Sequence, residues 1–180
     1  MPDFLYIRGT PGSGKHTVAK ILERDLGWTL FWSHDLDAIC RIVGSRAGDC
    51  SLARVMDEVT TPIIRHLLEQ GKNVIYVRPS RDEETVVQVR NTVQEFDDYR
   101  FHLVHLHAQY ETLCKRVQSR EPSDFRISSV QALKEYVDAR PMAIFGDAKW
   151  IDTSTYHPRD VADFVTGYVV KRFGVVTSCA

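Results

Sequence analysis

The segment Gly9-Thr10-Pro11-Gly12-Ser13-Gly14-Lys15-His16-Thr17 directly follows the apolar run Phe4-Leu5-Tyr6-Ile7. It fits the phosphate-binding pattern G-x-x-x-x-G-K-[ST] at every fixed position except the last, where His16 replaces the hydroxyl residue. Glycines let such a loop turn its N–H groups inward around phosphate oxygens, and the helix that follows adds its positive N-terminal end. The loop works only between a strand and a helix, so this segment commits the chain to an α/β fold. Gly12, Ser13, Gly14, Lys15, His16 and Thr17 form the expected nucleotide-binding set, with Lys15 reaching the β- and γ-phosphates of ATP.

The rest of the chain alternates strand-like apolar runs with helical periodicity, the pattern of a parallel sheet covered by helices on both faces. Strands are expected over 3–8, 28–32, 73–77 and 101–106, with a short fifth ending at Trp150-Ile151. A helix from about Gly14 stops at Gly27, and another carrying Leu52, Val55, Met56 and Val59 kinks or restarts at Thr61-Pro62. Residues 35–46 read as helical. Ser80 with Glu83, and Ser128 with Gln131, have the spacing of capping boxes. At 180 residues, with no repeat or low-complexity tract, one domain spanning 1–180 is expected.

Ligands of such sheets sit beyond the carboxyl ends of the strands. Four segments should meet there: the loop, Ser33–Asp37, Arg78–Arg81, and a lid of about residues 116–130. A hydroxyl acceptor loses a proton as it is phosphorylated, and Asp35 is placed to take it; the plainer role for Asp35 is a helix cap. Asp37, Arg41 and Arg78 are candidates to hold the acceptor, although Arg78 could instead pair with Asp35 or Asp37. Arg116 and Arg120 are four apart on one helix and share a face, where two guanidiniums can stabilise charge on the transferring group. Their alternative is a salt-bridged surface helix.

His16 disturbs this scheme. The hydroxyl normally found there coordinates Mg²⁺, a hard ion that prefers oxygen, so Asp35 is expected to help position the metal through water. Protonated His16 would supply some positive charge near the phosphates. The string from His102 to His107 is expected to be ordinary strand histidines rather than a zinc site, since His105 and His107 share a face and His102 points away. Trp28 and Trp32 could stack on a base, with core packing as the default.

At these residues the chain resembles the P-loop kinases, a group that includes phage polynucleotide 5′-hydroxyl kinases, nucleoside monophosphate kinases and small-metabolite kinases. The resemblance rests on Gly9 to Lys15, on Asp35 after the second strand, and on Leu113-Cys114-Lys115-Arg116-Val117-Gln118-Ser119-Arg120. It implies a three-layer sandwich of about five parallel strands with a helical lid. It also implies an aspartate, matched by Asp35, that activates the acceptor hydroxyl, and lid arginines, matched by Arg116 and Arg120, that contact phosphates. Val77-Arg78-Pro79 departs from the aspartate-containing turn common in those kinases.

The expected activity is therefore ATP- and Mg²⁺-dependent phosphotransfer. Its acceptor is a nucleic-acid 5′-end, a nucleotide or a small metabolite, and the alternative is a nucleotide-binding module made inactive by His16. A formal charge of −1 argues against a broad nucleic-acid-coating surface. The four cysteines are scattered and the start Met1-Pro2-Asp3 leads straight into a strand. No apolar run approaches the ~20 residues that span a bilayer. A cytoplasmic location without membrane contact is expected.

Overall fold

The computed structural model describes residues 1–36, 52–79, 83–120, 127–139 and 142–171, with only the backbone described at 34–35, 52–57 and 171. Its strands are β1 (Asp3–Gly9), β2 (Thr29–Trp32), β3 (Val74–Arg78), β4 (Arg100–His107) and β5 (Lys149–Asp152). Its helices are α1 (Lys15–Leu26), α2 (Leu52–Glu69), α3 (Glu83–Gln94), α4 (Tyr110–Gln118), α5 (Val130–Ala139) and α6 (Pro158–Lys171), with a short 3-10 turn at Ser33–Leu36.

The strands form one parallel sheet in the order β2-β3-β1-β4-β5. Parallel neighbours require crossover connections, which carry the helices onto both faces and bury the central strand completely. β1 is buried along its whole length, which is why it reads as an apolar run rather than as an alternation. Side chains still alternate between the faces. Phe4, Tyr6, Tyr76 and Leu103 pack with Ile64 and Leu68 of α2 and Val86, Val89 and Val93 of α3. Leu5, Ile7, Ile75, Val77 and Val104 pack with Val18 and Leu22 of α1 and Val161 and Val165 of α6. A third cluster, Leu113, Val117 and Leu133, joins α4 to α5.

Two local expectations are corrected. α2 runs as one helix through Pro62, without a restart. Proline costs that helix one backbone hydrogen bond, but Val59, Ile63, Ile64, Leu67 and Leu68 on both sides of it dock on the same core and hold the axis together. α5 is capped by Ser129 rather than Ser128: the Ser129 hydroxyl accepts from the Ala132 N–H at 3.1 Å, and Gln131 instead donates to Glu135 at 2.8 Å.

At the edge of the sheet remote from the phosphate loop, the Asp3 carboxylate accepts from Arg100 Nη2 at 2.6 Å and is paired with His102 Nε2 at 2.8 Å. The Asn73 side chain accepts from the Asp3 N–H at 2.7 Å. Burial pushes the Asp3 carboxyl upward, but the bonds from His102 and Arg100 outweigh it and hold the group below its ordinary range. His102 is thus a strand histidine with a structural partner, as expected.

Candidate active site

β1 ends in Gly9, whose φ of 145° and surroundings exclude any side chain, because a Cβ there would lie 2.0 Å from the Leu106 carbonyl oxygen. The chain then turns through Gly12 and Gly14, at φ 94° and 86°, in the left-handed region where glycine alone is unstrained. Gly14 is the N-cap of α1 and brings no side-chain bond to the first turn, whose N–H groups are thereby left to the loop. The buried Lys15 ammonium donates to the Thr10 carbonyl at 2.8 Å and to Ser13 Oγ at 3.4 Å. Burial, and next the charge of Arg120, push Lys15 down to about 7.

A cleft of about 230 Å³ opens beside the loop, between the end of α4 and the start of α6. Gly12, Ser13, Gly14 and Thr17 form one wall, Arg116, Ser119 and Arg120 a second, and Thr153, Tyr156 and Pro158 a third. Arg116 and Arg120 therefore do share this cleft. Arg116 is held by carbonyls: it donates to Gly12 O at 3.4 Å, to Thr153 O at 2.5 Å and to Thr153 Oγ1 at 3.0 Å. The Thr153 hydroxyl lies 3.1 Å from Ser13 O and 3.0 Å from His107 O, so one residue ties β4, the loop and α4 together.

Thr153 was not singled out in the sequence, since a lone threonine after a short strand carries no pattern. Nor was Asp152, because β5 was expected to stop one residue earlier. Its carboxyl is held down mainly by the hydroxyl and N–H of Ser154, the N–H donating at 2.8 Å, with His107 and Arg116 adding to the effect.

The other candidates lie across the sheet's carboxyl edge. The backbone of Asp35 falls in the 3-10 turn directly after β2, on the side of α2 and β3. Its side chain is outside the described part of the molecule. Asp37, Arg41, Ser80, Arg81 and residues 121–126 of the expected lid also lie outside the described residues. Arg78 ends β3 half-buried and in register with Arg8 of β1, which in turn is in register with His105 of β4. Arg8 is almost fully buried, with its guanidinium 3.7 Å from Met142 Sδ and 5.2 Å from the centre of the Phe145 ring. Next to Arg78, Tyr136 of α5 donates to the Pro79 carbonyl at 2.6 Å, tying the α4–α5 region to the end of β3.

His16 takes an unexpected position. Its ring lies flat against Trp32 at the end of β2, centroid to centroid 3.9 Å and 18° from parallel. Trp32 thus packs on the loop's own histidine while also bordering the core, and Trp28 packs on the same core. No group of three or more His, Cys, Asp or Glu able to hold a metal occurs among the described residues. The imidazole that follows Lys15 is a poor match for Mg²⁺, which takes oxygen ligands in strict octahedral geometry.

A family model described as an AAA domain matches residues 5–142. The chain belongs to that family. Within the AAA-domain family the fold here is of the P-loop kinase type, as three solved structures make clear. A sugar kinase from Janibacter sp. HTCC2649 matches with a TM-score of 0.67 at 16% identity, over 94% of this chain and 95% of that one. A gluconokinase from Sinorhizobium meliloti 1021 matches with a TM-score of 0.69 at 14% identity, over 95% and 93%. Shikimate kinase from Acinetobacter baumannii, in complex with shikimate, matches with a TM-score of 0.54 at 17% identity, over 96% and 94%. The three-layer parallel sandwich expected from the sequence is the architecture found. No helix among the described residues is long and apolar enough to cross a membrane.

Proposed function

We propose that this protein is an ATP-dependent phosphotransferase acting on a small hydroxyl-bearing acceptor. The observation that carries the reading is the convergence of the Lys15 loop with Arg116 and Arg120 on one cleft, with the turn that carries Asp35 following β2 at the same carboxyl edge of the sheet. The loop amides and Lys15 hold the β- and γ-phosphates. Asp35 accepts the acceptor's proton as its oxygen bonds to the γ-phosphorus, and the bond from that phosphorus to the β–γ bridging oxygen breaks to release ADP. Arg116 and Arg120 stabilise charge on the equatorial oxygens, Arg116 from a position already fixed by loop and Thr153 carbonyls. Arg78 at the edge of β3 contributes to acceptor binding, together with Asp37 and Arg41. Kinases of this fold generally use ATP with Mg²⁺, and the donors described here give that ion no assigned step.

Among the acceptors considered, the structural neighbours favour a small metabolite, since the three named above are kinases of sugars, gluconate or shikimate. None of these is named for a nucleic-acid end. The test is transfer of labelled γ-phosphate from ATP to a panel of sugars, sugar acids, cyclic polyols, nucleosides and 5′-hydroxyl oligonucleotides. A labelled small-molecule product that disappears in Asp35→Asn is the expected result. Efficient labelling of the oligonucleotides alone would overturn the acceptor class. ATP binding with no transfer to any member would favour a second reading, a nucleotide-binding module, for which the stacked position of His16 speaks.

A further inference from the structure

Loops of this kind use the hydroxyl after the lysine as an oxygen ligand for the divalent ion. Here that position carries an imidazole, a nitrogen donor poorly matched to Mg²⁺, and its ring is laid flat on the indole of Trp32. Thr17, the next hydroxyl, cannot stand in by position, because it lies about 100° further round the helix. It is exposed and faces the cleft shared with Arg116 and Arg120.

We infer that the loop supplies no ligand to a divalent ion, so that the protein binds the triphosphate almost equally well with and without metal. The ion enters, when it does, as part of the metal–nucleotide complex. Position 16 has passed from ion ligation to packing: the stack joins the first turn of α1 to the last residue of β2, from which the turn bearing Asp35 departs. The positive charge facing the phosphates then comes from Lys15, Arg116 and Arg120. This inference rests on the nucleotide-binding reading and concerns only how that binding depends on metal.

The test is the dissociation constant of ATP by titration calorimetry, in Mg²⁺ and in EDTA, for the wild type and His16→Ser. The wild-type values should agree within about threefold, whereas the serine variant should bind at least about tenfold more tightly in Mg²⁺ than in EDTA. A second measurement needs no variant: electron-spin-echo spectroscopy of the wild type with Mn²⁺ and ATPγS should show no imidazole nitrogen coupled to the metal. A wild type that loses about tenfold or more in EDTA overturns the inference, as does nitrogen coupling, which would make His16 a ligand. A folded serine variant as indifferent to metal as the wild type overturns the role of position 16. Failure of ATP to bind in either buffer removes the nucleotide reading and this inference with it, whereas binding that collapses only in EDTA removes this inference alone.

Discussion

On the proposed function, ATP binding should be coupled to proton uptake by Lys15. Its ammonium is buried against Thr10 O and Ser13 Oγ, and burial together with Arg120 lowers it from 10.5 to about 7. A triphosphate in the loop favours the charged form and drives the value back up, so binding takes up a proton wherever free Lys15 is neutral. For a free value of about 7, roughly 0.9 of a proton is taken up at pH 8, and affinity falls about tenfold per pH unit from about 8 to 9.5. Calorimetry at pH 8, in buffers of different ionisation enthalpy, reads the proton number as the slope of observed against buffer enthalpy. That pH lies above the second titration of a phosphate monoester, at about 6. Lys15→Arg, which keeps its charge, should show a slope near zero. The same shift acts on folding: the unfolded chain binds the extra proton between about 7 and 10.5, so the nucleotide-free protein should gain stability as pH rises through that window. Tight ATP binding at pH 8 with no proton uptake would refute the reasoning.

Two further outcomes follow from the same geometry. Asp3→Asn, at the far edge of the sheet, should cost about 2 kcal/mol in urea unfolding, because it weakens the bonds that a nearly buried carboxylate makes to Arg100 and His102. As the Asp3 carboxyl is held low, its contribution is present above the ordinary carboxylate range and is lost as pH falls below about 4, a loss the asparagine variant should lack. Thr153→Val leaves the Ser13 and His107 carbonyls without their shared hydroxyl and removes one contact of Arg116. It should cost about 1–2 kcal/mol of stability and weaken ATP binding measured in the same titration, whereas unchanged ATP affinity would mean that the brace does not serve the loop.

The architecture was legible because a parallel sheet buried on both faces leaves apolar strands with helical stretches between them. The phosphate loop fixed where the ligand edge lies. Errors arose where one residue's local preference met tertiary packing: Pro62 reads as a break but lies in a helix held by its neighbours, and the cap of α5 moved from Ser128 to Ser129. The site was only partly legible. Glycines, Lys15 and the arginine pair announce themselves through spacing, but Thr153 acts through a hydroxyl and a carbonyl brought to the loop from 140 residues away in sequence. No local pattern encodes such a contact. Arg8 was passed over because it lies inside an apolar strand beside a louder motif, and only the register with Arg78 and His105 reveals its position. The stack of His16 on Trp32 likewise depends on β2 ending beside the first turn of α1.

The depressed Lys15 also bears on the proposed occupancy of the cleft by a polyanion. Arg120 lies close enough to Lys15 to lower it, and Arg116 lines the same cleft. The Thr10 carbonyl oxygen holds Lys15, and a carbonyl supplies only a partial charge against a full one. Desolvation without a full counter-charge is the condition that drives an ammonium towards neutrality. A triphosphate reverses this, because each added negative oxygen stabilises the ammonium and eases the repulsion between Lys15 and Arg120. Removing that repulsion by Arg120→Gln should therefore raise free Lys15 and reduce the proton uptake at pH 8. Uptake left unchanged by that substitution would assign the whole depression of Lys15 to burial.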